Sequence, residues 1–189
     1  MTEHAFLIVD KATFYRFAAA APEHVRCEYV RGRIVQQMTG GTFDHVRLAK
    51  RIADFIAGQL DSADWIVSLS DRGVETSQTI RYPDVVMERA GAAGKSLSTD
   101  APVLVVEVLS PSSEVRDLEA KPAEYTSLAT LHAYIVASQD APACLVWLRR
   151  ADGTFAAEPA SIDGRDEVIH IPALSVAIPL AEVYRGIGE

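Results

Sequence analysis

Pro102-Val103-Leu104-Val105-Val106-Glu107-Val108-Leu109-Ser110-Pro111 is the stretch on which the fold turns. From Val103 to Leu109 it is aliphatic and mostly β-branched, with Glu107 as its single interruption and a proline at either end. The run is too short for a helix and has the composition of a strand buried on both faces of a sheet. A carboxylate in such a strand is costly unless it is paired, hydrogen-bonded or bound to a cation. Glu107 therefore needs a partner.

Upstream, Arg81-Tyr82-Pro83-Asp84-Val85-Val86-Met87 reads as the start of another strand, with Asp84 directly after a proline. If the two strands are neighbours, their backbones lie about 4.8 Å apart, and Asp84 and Glu107 on one face can share a hard cation such as Mg²⁺. Downstream, a helix is expected from about Ser112-Ser113, with Glu114 and Asp117 in or near its first turns and Lys121 further along. Other readings stand beside these. Asp84 after a proline also suits a turn, a structural pairing with a lysine or arginine also satisfies Glu107, and Asp117 and Lys121 have the spacing of a surface ion pair on a helix.

The rest of the chain alternates helices and strands. Lys11 to Ala21, ending at Pro22, suits a short helix. Arg26–Val30 and Arg33–Met38 flank Arg31-Gly32 as a hairpin. Leu48, Ile52, Phe55, Ile56 and Leu60 recur at helical spacing, which predicts an amphipathic helix from Thr42 to Leu60 with Arg47, Lys50 and Arg51 outside. Trp65–Leu69 and Val74–Thr76 are expected strands about a polar turn, and Asp84–Glu88 continues the sheet. The loop Gly91-Ala92-Ala93-Gly94-Lys95-Ser96 lacks the spacing of a phosphate-binding P-loop and leads into Asp100-Ala101-Pro102 rather than a helix, so it reads as an exposed tip. Pro122, directly after Lys121, predicts a kink or a restart of the helix. Leu131–Ala137 and Ala143–Arg149 read as paired strands, followed by short strands at Thr154–Ala157, Glu167–Ile171 and Leu174–Ile178 and a helical turn over Leu180–Arg185. This is a mixed α/β (α+β) pattern on one domain spanning residues 1–189, without repeats or a dividing linker.

Of the 189 residues, 49% are hydrophobic and 23% charged, which excludes a disordered chain. The net charge of −8 argues against strong non-specific binding to nucleic acid, which relies on Lys and Arg displacing counterions, though a local basic cleft stays compatible with it. Cys27 and Cys144 are too few for a disulfide framework or zinc motif and read as reduced, buried thiols. The start, Met1-Thr2-Glu3-His4-Ala5-Phe6, has no secretory pattern, and no apolar run approaches the ~20 residues of a membrane span. A cytoplasmic protein without membrane association is expected. His4, His24, His132 and His170 share no ligand spacing.

The ordered set Pro83-Asp84, Glu107-Val108-Leu109-Ser110-Pro111-Ser112, Asp117, Lys121 and Tyr125 resembles the Uma family of putative restriction endonucleases, a branch of the PD-(D/E)xK nuclease superfamily. Glu28-Tyr29-Val30-Arg31-Gly32-Arg33 resembles that family's early acidic hairpin, His45 its early helix, Leu131–Asp140 the strand and turn after the helix, and Leu180–Tyr184 its closing segment. The resemblance implies a restriction-endonuclease-like fold, a twisted central β-sheet flanked by helices. It also implies a Mg²⁺-dependent endonuclease that hydrolyses DNA phosphodiester bonds, with Mn²⁺ as a possible substitute, and a homodimer. By position, Asp84 and Glu107 would be metal ligands and Lys121 the catalytic cation, with Glu28 and His45 as secondary site residues. The superfamily's usual lysine, two residues after the acid, is replaced here by Leu109; in this branch it moves to the following helix, where Lys121 stands. The competing expectation is a catalytically silent binding or assembly protein with the same acidic pocket.

Overall fold

The segment Pro102–Leu109 is a strand with every residue but the last buried, as its two-sided apolar composition requires. It belongs to a computed structural model that describes residues 8–22, 25–37, 41–91, 94–109 and 114–187, with backbone only over 114–119. In chain order, helix α1 (Lys11–Ala20) precedes the hairpin β1 (Arg26–Val30) and β2 (Arg33–Gln37), then helix α2 (Phe43–Ala57). Six strands follow: β3 (Trp65–Leu69), β4 (Gly73–Glu75), β5 (Thr79–Arg81), β6 (Val85–Arg89), β7 (Ser98–Thr99) and β8 (Pro102–Leu109). Helix α3 (Glu114–Thr126) leads to β9 (Ala133–Ser138), β10 (Ala143–Leu148), β11 (Ala160–Asp163) and β12 (Val168–Ile171). A 3-10 turn (Pro172–Leu174), β13 (Val176–Pro179) and helix α4 (Leu180–Val183) close the described chain.

The central sheet has the order β11-β10-β9-β8-β6-β3, antiparallel except for the parallel pair β8 and β9 that α3 connects. Alternation along β8 divides its side chains between two cores. Leu104, Val106 and Val108 pack with Leu48, Ala49, Ile52, Ala53 and Ile56 of α2 and with β12, β13 and α4. Val105 packs with Tyr134, Val136, Trp147 and Tyr125 of α3. Fully burying each of the large aliphatic side chains contributes roughly 1.5–3 kcal/mol, so α2 is held by its buried stripe. The start of α2 is set by Thr42, whose hydroxyl accepts the His45 N–H at 3.2 Å.

A second sheet, β2-β1-β5-β4-β7, carries α1 over a small core of Phe14, Cys27 and Ile80. The expected mixed architecture with a central sheet between helices is present, and the early hairpin joins this second sheet rather than the central one.

Three expectations are corrected, and two short strands are added. Thr154–Ala157 is not a strand, and the strand lies at Ala160–Asp163. Asp152 accepts both the backbone N–H and the hydroxyl of Thr154 at 2.9 and 2.7 Å, while the Arg149 guanidinium lies 4.6 Å from the Phe155 ring centroid and bonds the Gly153 carbonyl, which holds this segment in an irregular conformation after the turn at Ala151-Asp152. Of the kink or restart expected at Pro122, the restart does not occur, since helix α3 runs from Glu114 to Thr126 with the proline inside it. Helix α2 ends at Ala57, because Gly58 caps it, rather than at Leu60. The short strands β5 and β7 were not expected, since three and two residues carry too little pattern. Gly91, Gly94, Lys95 and Ser96 are exposed, as a loop tip should be, and both cysteines are buried and free. His4, His24, Ala92, Ala93, the segment Ser110-Pro111-Ser112-Ser113 and the Asp117 side chain lie outside the described residues. Among the described residues no helix is long and apolar enough to cross a membrane.

Candidate active site

Strands β6 and β8 are neighbours, and their register pairs Val85 with Val106. One step further along the same register sets Asp84 opposite Glu107, and directly opposite residues of an antiparallel pair share a face. The Asp84 carboxylate is fastened at this level from two sides: Oδ2 accepts the Val108 N–H at 2.7 Å and Oδ1 lies 3.0 Å from His45 Nε2. His45 comes from the first turn of α2, where its ring sits so close to Gly41 that a Cβ there would lie 2.8 Å from Cδ2. The hydrogen bond to Asp84 raises the His45 pKa, against the opposing effect of burial. His45 Nδ1 is buried and has no partner among the described residues.

Glu107 is 7% exposed and faces α3. Lys121, 5% exposed, donates from Nζ to Glu107 Oε1 at 2.9 Å, and the Tyr125 hydroxyl donates to the same oxygen at 3.0 Å. Lysine and tyrosine four residues apart lie on one helical face, which is how a single turn of α3 supplies both donors. Burial pushes the Glu107 carboxyl up to about 7, with the nearby Asp84 charge adding to the rise and Lys121 opposing it. Such a carboxylate gains strongly from a cation.

Glu28, on β1, is also buried, but its Oε2 accepts Arg81 Nη1 at 2.7 Å and its Oε1 accepts the Tyr82 N–H at 3.3 Å. The same guanidinium grips Glu124 of α3 through Nε and Nη2 at 2.9 and 3.0 Å. The fold thus gathers Asp84, Glu107, Lys121 and His45 as one contiguous group, with Glu28 close enough for its charge to raise the Glu107 pKa. Despite Pro122, Lys121 reaches the acid in a buried ion pair. Leu109 ends its strand against the aromatic core. Arg81 and Glu124 were missed as members of the cluster; their signal, opposite charges 43 residues apart, cannot be told from ordinary surface charge in a sequence.

Among the described residues no group of three or more His, Cys, Asp and Glu forms a metal cage. A carboxylate pair is nevertheless the donor set that suits Mg²⁺, which binds through one or two carboxylates and keeps several waters for exchange with phosphate oxygens. Asp84 and Glu107 fit that description. A cavity of about 680 Å³ lined by Trp65, Arg72, Glu88 and His132 lies elsewhere and includes none of these residues. Its Arg72 is occupied by a buried, two-pronged bond to Glu88.

Residues 12–181 match the family model Uma2, described as putative restriction endonuclease. An uncharacterized protein of Synechocystis is 30% identical over 163 residues, which are 85% of this chain and 84% of that protein. The crystal structure of a putative nuclease belonging to DUF820 from Anabaena variabilis superposes with a TM-score of 0.71 over 89% of this chain and 94% of that one. At 14% identity that likeness establishes the shared fold.

Proposed function

This chain belongs to the Uma2 family of putative restriction endonucleases, and we propose that it is a metal-dependent endonuclease hydrolysing DNA phosphodiester bonds. The observation that carries the reading is the carboxylate pair, Asp84 directly before β6 and Glu107 on the adjoining β8, with the buried Lys121 on Glu107. Asp84 and Glu107 would hold Mg²⁺, or Mn²⁺ in its place, which when bound supplies a Lewis acid and lowers the pKa of a coordinated water. Lys121 contributes the positive charge that meets the charge developing on the phosphoryl oxygens, a role in which a compact ammonium on a flexible stem is effective. Tyr125 keeps the Glu107 carboxylate oriented through its hydroxyl, and His45 does the same for Asp84. Burial of Glu107 and Lys121 strengthens each of these interactions relative to water.

A homodimer acting in the cytoplasm completes the proposal, since a two-fold arrangement suits a two-stranded substrate. A second reading, a binding or assembly protein without catalysis, draws on a specific observation: Lys121 and Tyr125 already satisfy Glu107 Oε1, and a net charge of −8 opposes a DNA backbone. Incubation of supercoiled plasmid and single-stranded DNA with Mg²⁺ or Mn²⁺ separates the two, comparing the protein with Asp84→Ala and Lys121→Ala prepared identically. Cleavage that requires metal and is lost in both variants is the expected result. Three equally inert or equally active preparations would sink the nuclease reading for these substrates.

A further inference from the structure

Helix α3 presents Lys121, Glu124 and Tyr125 at spacings of three and four, on one face. Lys121 and Tyr125 end on Glu107, and Glu124 ends on Arg81. Between them stands Pro122, which has no N–H to give to the carbonyl a turn earlier and whose ring crowds that carbonyl. The helix therefore lacks one of its own backbone bonds at the turn that delivers the lysine. Something outside the helix has to hold that turn in place.

Arg81 is built for this. It is the last residue of β5 and is paired through its backbone to Val74, so its Cα belongs to the second sheet and not to the helix it holds. Two of its guanidinium nitrogens take the Glu124 carboxylate as a fork and a third takes Glu28, with the three side chains only 12%, 10% and 4% exposed. A fork fixes angle as well as distance, which a lysine ammonium in the same place cannot do. Removal of Arg81 also frees the Glu124 carboxylate, which stands three residues from Lys121 on the same face and can compete with Glu107 for its ammonium.

We propose that Arg81 is a positioning residue of this site, a clamp from the second sheet that sets the turn of α3 carrying Lys121 and Tyr125 onto Glu107. Its kinetic consequence rests on the nuclease reading; its effect on Lys121 does not. The full-length protein and the variants Arg81→Met, Arg81→Lys and Glu124→Gln are treated with a limiting amine-reactive ester, and labelling at each lysine is read by peptide mass spectrometry. Lys11, Lys50 and Lys95 serve as internal references. In Arg81→Met, labelling of Lys121 rises about ten-fold with the references unchanged, the sign of a local opening. In metal-dependent DNA cleavage, kcat falls about 100-fold with KM held within about two-fold, as for a misplaced catalytic group. Arg81→Lys restores neither. Lys121 labelling that stays at the wild-type rate, or restoration of both readouts by Arg81→Lys, overturns the clamp. If the wild-type protein cleaves no DNA, the nuclease reading falls while the labelling still decides the clamp. If Arg81→Met does not fold, Glu124→Gln decides it: increased Lys121 labelling supports the clamp and unchanged labelling overturns it.

Discussion

Glu107 interrupts an aliphatic strand and is satisfied by two donors from one helix turn. Breaking a buried ion pair from one side leaves an uncompensated charge and costs about 3–5 kcal/mol. Lys121→Met is therefore expected to destabilise the protein by about that amount in urea denaturation at pH 8. Glu107→Gln/Lys121→Met should recover most of the loss, because an amide carries no charge to bury. A second residue-level expectation concerns Cys144, whose thiol is pushed up to about 11 by burial, with Asp163 adding to the effect. Since only the thiolate reacts, alkylation of Cys144 at pH 8 should be at least about 100-fold slower in the folded protein than in urea. Of this chemistry, the need of Glu107 for a partner is legible in the sequence, because a lone carboxylate in an apolar run is costly wherever the run goes. That Arg81 holds both Glu28 and Glu124 is not, since those partners are 53 and 43 residues away.

The hairpin formed by β1 and β2 turns on Arg31 and Gly32, with φ of 49° and 85°. Two consecutive positive φ values are the mark of the tight turn that matches strand twist. A Cβ at Gly32 would lie 2.5 Å from Ile8 Cγ2, whereas one at Gly153, with φ 84°, would meet nothing within 4 Å. Both alanine variants incur the left-handed penalty of about 1–2 kcal/mol, and Gly32→Ala should cost more because Ile8 must also move. Thermal denaturation of the two variants side by side measures the difference; equal losses would show that Ile8 yields freely. The hairpin is legible because turn chemistry and alternation are local. Helix α3 is the contrary case, for Pro122 locally argues a kink or a restart, and the helix continues past it as one element on which Lys121, Glu124 and Tyr125 make their contacts. Thr154–Ala157 failed for a like reason: its apolar residues suit a strand, but Arg149 and Asp152 capture the segment first.

On the scale of the molecule, the two sheets and their helices are tied by buried or half-buried polar links. Helix α1 is held to the second sheet by Lys11, which donates to Glu75 Oε1 at 2.8 Å, and by the Tyr15 hydroxyl, which donates to Glu75 Oε2 at 2.6 Å. Burial opposes ionisation of Glu75, yet these donors outweigh it and hold the carboxyl below its ordinary value of 4.5. A carboxyl whose folded pKa is depressed binds its proton more readily in the unfolded chain, so its stabilisation is present above 4.5 and is lost as the pH falls through the lower, folded value. Acid titration of stability should thus show a shallower loss below pH 4.5 in Glu75→Gln than in the wild type; identical slopes would remove Glu75 from the acid response. What the sequence determined by itself is most of the elements, the two-sided burial of Pro102–Leu109 and the need of Glu107 for a partner; β5, β7 and β11 escaped it. Periodicity and composition suffice for these because burial imprints itself residue by residue. Only the tertiary structure decided that the hairpin enters a second sheet, that Lys121 turns inward to Glu107, and that Arg81 reaches across from one sheet to the helix of the other. Those outcomes depend on which distant segments pack together, and opposite charges far apart in the chain become partners only where the core brings them within hydrogen-bonding reach.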